Sequence, residues 1–156
     1  LGDVREVLAA HDRVGHVAGP QGLSTGAMRY RGFQVAVAEL GLPRGEEFVA
    51  VAEQFSRGAG RKACHELIDR DLGLTALVAA NDLIALGCYD ALAERGLSCP
   101  ADISVTGYND APFVDMVMPP LTTVHRHSDE IGERARRADR RRVRGRSPSR
   151  CPLRSP

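Results

Sequence analysis

The sequence predicts an α/β fold with a doubly wound parallel sheet. Three observations carry that expectation. Short apolar runs alternate with amphipathic segments between residues 14 and 124. The connections between them are short. The run from Thr75 to Ala80 is almost continuously apolar, as a strand covered on both faces must be. Strand–helix alternation with short loops requires βαβ crossovers, which are right-handed in a twisted sheet.

Val14-Gly15-His16-Val17-Ala18-Gly19 is the first strand. Ser24 and Thr25 are suitable N-caps for a helix that runs to Leu40, with Met28, Phe33, Val35, Val37 and Leu40 apolar. Gly41-Leu42-Pro43 closes it, a glycine past the end and a proline soon after. Phe48 to Ala52 is the second strand, and a helix follows from about Ala59 to Asp71, before Gly73. Thr75 to Ala80 is the third strand. Asn81-Asp82 starts a helix through Arg95, stopped by Gly96. Pro100 precedes a fourth strand, Ile103 to Tyr108, and Leu121-Thr122-Thr123-Val124 is a short extended segment. Ser128 is placed to cap a last helix.

With 156 residues there is room for one ordinary domain, or one lobe of something larger. The apolar fraction of 43% and charged fraction of 26% exclude a disordered or fibrous chain. Aromatic residues make up only 4%, with no Trp, which disfavours a stacking platform for single-stranded nucleic acid. No apolar run approaches the roughly 18 residues that cross a bilayer, so no membrane association is expected. The net charge of +1 hides a split: ten Arg stand against the one acid Asp139 in residues 134–156, while residues 1–133 carry a net −8. That separates a body, 1–133, from an Arg-rich tail, 134–156, which has no apolar face to bury and is expected to be disordered. Any DNA affinity of the tail is expected to be non-specific and steeply salt-dependent. Cys64, Cys88, Cys99 and Cys151 show no metal-finger spacing and read as reduced thiols, which favours a cytoplasmic setting. No cofactor motif is complete, and no metal site is expected.

In open parallel sheets, ligands bind beyond the carboxyl ends of the strands. Gln21, Ser24, Thr25 and Arg29 follow the first strand; Gln54, Phe55 and Ser56 the second; Asn81 and Asp82 the third; Asn109 and Asp110 the fourth. Amides and hydroxyls both donate and accept, which suits sugar or nucleoside hydroxyls. Arg29 offers a planar fork of donors, and Phe55 a cover for an apolar ring face. Each residue also has an ordinary structural use: Asn81, Asn109, Ser24 and Thr25 as caps or turns, Arg29 as a solvated charge, Phe55 as core. Their common edge is what favours binding.

The stretches Gly15 to Pro20, Ser24 to Phe33, Leu77 to Gly87, Pro100 to Asp110 and Pro119 to Val124, in this order, resemble the LacI/GalR family of bacterial transcriptional repressors. The resemblance covers roughly residues 4–135. It implies the effector-binding core of such a regulator, a fold similar to periplasmic sugar-binding proteins with two Rossmann-like lobes, of which this chain resembles the second lobe and the crossover segment at Leu121–Val124. It implies effector contacts at Thr25, Arg29, Phe55, Asn81 and Asn109. The family usually has Asp where Asn109 stands, so the hydrogen bonds are kept and the charge is lost. The implied partners are a small sugar- or nucleoside-like effector, operator DNA through a helix-turn-helix headpiece without counterpart here, and a second copy of the chain. Where the Arg-rich tail stands, the family continues with an apolar-faced helix, so the expectation is a truncated or frame-shifted gene product. The segment Leu83 to Ala93 has one charge in eleven residues. A helix apolar nearly all round is buried on more than one side, against the sheet and then a twin subunit, the missing lobe or a neighbouring helix.

Two other readings remain. A periplasmic-type sugar receptor shares the fold. Gly22-Leu23-Ser24-Thr25-Gly26 fits the GxSxG elbow of serine hydrolases, with Asp110 and His125 following in hydrolase order. The elbow needs a sharp strand-to-helix turn, and Pro20-Gln21-Gly22 intervenes, so the chain is expected not to be an enzyme.

Overall fold

The computed structural model describes residues 8–125, which lie in one compact unit, Leu1–His125. The expected helix at Ser128 and the Arg-rich tail fall outside the described residues. The order of elements is β1 (Val14–Ala18), α1 (Ser24–Glu39), β2 (Val49–Val51), α2 (Arg57–Ile68), β3 (Ala76–Ala79), α3 (Asp82–Glu94), β4 (Ser104–Asn109) and β5 (Thr122–His125). The five strands form one sheet in the order β2-β1-β3-β4-β5, and every pair is parallel. From β1, second in the sheet, the chain steps out to the edge strand β2, then crosses back to β3 and moves the other way through β4 to β5, the doubly wound pattern the sequence predicts.

Strand alternation sorts the core into two layers. Val14 and Ala18 of β1 pack with Ala76 and Val78 of β3 against Phe33, Ala36 and Val37 of α1. Val17, Leu77 and Ala79 point the other way, into a larger core with Cys64 and Leu67 of α2 and Ile84, Cys88 and Leu92 of α3. Cys64, Cys88 and Cys99 are free thiols.

The helices α2 and α3 approach unusually closely. A Cβ added at Gly87 would strike the carbonyl of Arg57, and one at Gly60 would meet the backbone of Ile84. Above this glycine seam, Arg57 grips Asp90 with two bonds of 2.6 Å, holding that carboxyl below the usual range. Arg61 and His65 both reach Glu94, at 2.8 and 2.7 Å. The second apolar side of α3 is therefore taken in large part by α2, the neighbouring-helix option.

Two boundaries differ from the sequence reading. Helix α1 is not capped by Ser24 or Thr25: Leu23 is its extended N-cap residue and makes no side-chain cap bond. The tight Pro20–Leu23 turn, closed by Leu23 N–H on Pro20 O at 3.2 Å, puts Ser24 inside the first turn. Helix α2 begins at Arg57 rather than Ala59, because the Ser56 hydroxyl accepts the Ala59 amide at 3.3 Å, and it ends at Ile68.

His16 of β1 is 1% exposed, with its ring stacked on Phe33 (centroids 4.7 Å apart) and its Nδ1–H donating to Val78 O at 2.7 Å. Burial pushes its pKa down to about 4. In the unfolded chain His16 takes up a proton near pH 6.5, whereas the fold refuses it until about pH 4. His16 therefore leaves stability intact above pH 6.5 and erodes it as pH falls toward 4, by up to about 3 kcal/mol. Urea unfolding of wild type and His16→Phe across pH 4–7 checks this: wild type alone should lose that increment.

Candidate functional site

The carboxyl ends of β1 to β4 open on one edge of the sheet, and Arg29 is the side chain that joins them. It projects from the second turn of α1. Its Nη1 donates to Ala80 O, just beyond β3, at 2.6 Å. Its Nη2 donates to Asn109 Oδ1, at the end of β4, at 2.9 Å. The Tyr108 ring lies 4.4 Å from Arg29 Cζ, and the Phe55 ring, from the loop after β2, lies 5.8 Å away. Planar delocalised charge accepts both contacts: N–H edges for oxygen, faces for rings.

The backbone makes room for this cluster. Gly19 has no side chain because the Phe55 ring occupies the place a Cβ would take. Gly26 passes so close to Pro20 O that a Cβ would collide with it, which brings the start of α1 down onto the strand end. Asn109 has φ 121° and Asp110 φ 55°, so the chain leaves β4 through two left-handed residues. Asn and Asp tolerate that region better than most residues.

Of the five residues the sequence singles out, Arg29, Phe55 and Asn109 are brought together. Asn81 lies at the same edge but is 6% exposed, and its Oδ1 accepts the Ile84 amide at 2.9 Å as the N-cap of α3. Thr25 is exposed on α1, four residues before Arg29 and so on the same helix face. Gln21 is spent locally, donating to Gly19 O at 2.7 Å. Sequence reasoning missed Tyr108. Strand alternation was the signal available: Gly107 faces α3, so Tyr108 faces the α1 side beside Arg29. Ser24 is exposed and separated from β1 by Gly19–Leu23, so the sharp elbow a nucleophilic serine needs is not formed. Among the described residues no group of three or more His, Cys, Asp or Glu is arranged to hold a metal ion. No described helix is long and apolar enough to cross a membrane.

Residues 8–155 match the model of the periplasmic binding protein-like domain. The chain belongs to that family. The ribose operon repressor of Escherichia coli strain K12 is 35% identical over 127 residues, which are 80% of this chain and 38% of that protein. A solved complex of the transcriptional regulator CelR with cellobiose superposes with a TM-score of 0.85 at 30% identity, covering 93% of this chain and 44% of that one. The Lac repressor dimer bound to operator and the anti-inducer ONPF gives 0.83 at 26% identity, over 95% and 51%. The resemblance to LacI/GalR regulators and the parallel α/β sheet are both borne out, and these relatives are transcriptional repressors or regulators. The chain spans under two fifths of the length of the curated relatives it matches.

The two uses of Asn81 separate experimentally. Asn81→Ala should lower stability by about 1 kcal/mol through loss of the cap, and Asn81→Asp, which caps equally well, should restore it. Urea denaturation of the two variants beside wild type measures the difference.

Proposed function

We propose that this chain is a ligand-sensing lobe of a LacI-type transcriptional regulator, binding a small sugar- or nucleoside-like effector at the mouth around Arg29. The observation that carries the reading is the Arg29 cluster. One guanidinium links α1 to the ends of β3 and β4 and stacks on an aromatic ring, at the edge where parallel sheets bind ligands. Thr25, Arg29, Phe55, Asn81 and Asn109 are the proposed effector contacts. Asn109 offers an amide, so it grips hydroxyls by hydrogen bonds without a formal charge. The donors and acceptors here match the hydroxyl groups of a sugar or nucleoside.

In an intact regulator the mechanism is linkage. An effector that prefers one arrangement of the sensor shifts the DNA-binding equilibrium by the difference in its affinities for the two states. Operator contact belongs in this reading to a helix-turn-helix headpiece, to which no stretch of this chain corresponds, and the site of action is the cytoplasm. A second copy of the chain is the proposed partner. Met116 and Met118, 82% and 86% exposed in the loop between β4 and β5, supply apolar surface for it.

A thermal-shift screen with D-ribose, cellobiose and adenosine tests the reading. At least one should raise the melting temperature of this chain in a dose-dependent way. Arg29→Ala should weaken that binding about tenfold or more, at least ~1.4 kcal/mol. Equal binding by wild type and Arg29→Ala, or no response across sugars and nucleosides, would refute it.

A further inference from the structure

The left-handed exit from β4 is held from behind. Asn109 and Asp110 both have φ values that strain a residue with a Cβ, and such a turn persists only where its surroundings over-determine it. Asp110 N–H donates to Thr123 Oγ1 of β5 at 3.2 Å. Ala111 N–H donates to Asp82 Oδ2 at 2.8 Å. The Thr123 hydroxyl in turn donates to Asp82 Oδ1 at 2.5 Å, so both restraints end on one carboxylate. Asp82 is 1% exposed and is the first residue of α3, where the helix dipole favours negative charge. Gly107 stands opposite Thr123 in the ladder, and a Cβ there would strike Asp82 Oδ1. The strand is therefore bare at the point where the carboxylate passes.

We propose that Asp82 and Thr123 are a positioning pair. They fix the main chain just after Asn109, keep Asn109 left-handed, and so set its amide oxygen 2.9 Å from Arg29 Nη2. Neither residue is assigned to the mouth itself. Because Thr123 belongs to β5, a slide of that edge strand withdraws the restraint and disturbs the mouth. The link to effector binding rests on the proposed function; the conformational claim stands apart from it.

The three-bond HN–Hα coupling of Asn109, measured by NMR on the labelled chain, reads its φ directly. It is small at the observed angle and large in an extended strand. The coupling should be small in wild type and in Thr123→Ser, which keeps the hydroxyl. It should become large in Thr123→Val and in Asp82→Asn, where one acceptor oxygen replaces two, while the signals of Val14–Ala18 in β1 stay in place. Thr123→Val is isosteric and lies on an edge strand, so it decides the matter if Asp82→Asn does not fold. A small coupling in folded Thr123→Val, or a large one in wild type, overturns the pairing. With D-ribose, cellobiose or adenosine, whichever stabilises wild type, Thr123→Val should bind about tenfold more weakly and Thr123→Ser within about twofold of wild type. A coupling that changes while affinity does not would leave the pair standing and remove Asn109 from the effector contacts.

Discussion

The candidate site depends on one guanidinium. Arg29 reaches from α1 across the top of the sheet and donates to oxygens that follow two different strands, Ala80 O after β3 and Asn109 Oδ1 on β4. That bridge ties α1 to the chain beyond β3 and to the end of β4. With it, α1, β3, β4 and the Phe55 loop share one boundary. A hydrogen bond from a charged donor in a partly buried setting contributes more than a neutral one, and leaving its acceptors unpaired costs more still. The Tyr108 ring below the guanidinium adds a face contact without competing for the N–H edge.

The rest of the molecule keeps that edge rigid. A central sheet covered by α1 on one face and by α2 and α3 on the other leaves the strands little freedom to shift. The glycine seam between α2 and α3 locks the second layer, and the Arg57–Asp90 pair fixes it at the surface. Asp82 extends the same principle to the loop after β4. A buried carboxylate is expensive unless its oxygens are satisfied, and here Thr123 and Ala111 satisfy them. The side chains at the mouth thus fall into two sets. Asn81, Gln21 and Ser56 hold local structure, whereas Arg29, Phe55, Tyr108 and Asn109 face one another.

Most of the fold was legible because its signals are local. The apolar run at Ala76–Ala79 and the Asn81 cap are written in adjacent residues, and both appear where the sequence puts them. The start of α1 was misplaced because it is set by Gly26 closing onto Pro20 O, a tertiary contact that no capping pattern reveals. The same limit applies at the mouth. Arg29 and Asn109 are 80 positions apart, and only strand order brings them within 2.9 Å. The edge rule put both at one end of the sheet, and there they meet. It could not tell that the Asn81 side-chain oxygen also caps a helix, nor that Tyr108 lies beneath the guanidinium. Those distinctions depend on where each side chain points after the sheet has formed.

A double-mutant cycle between Arg29 and Asn109 tests the bridge most directly. Arg29→Met, Asn109→Ala and the double variant would be unfolded in urea beside wild type, without any ligand. A coupling energy of about 1–2 kcal/mol is expected for a charge-assisted bond between contacting residues. Strictly additive losses, with coupling within about 0.3 kcal/mol of zero, would mean that the two residues do not share a bond and that the mouth is not assembled as described.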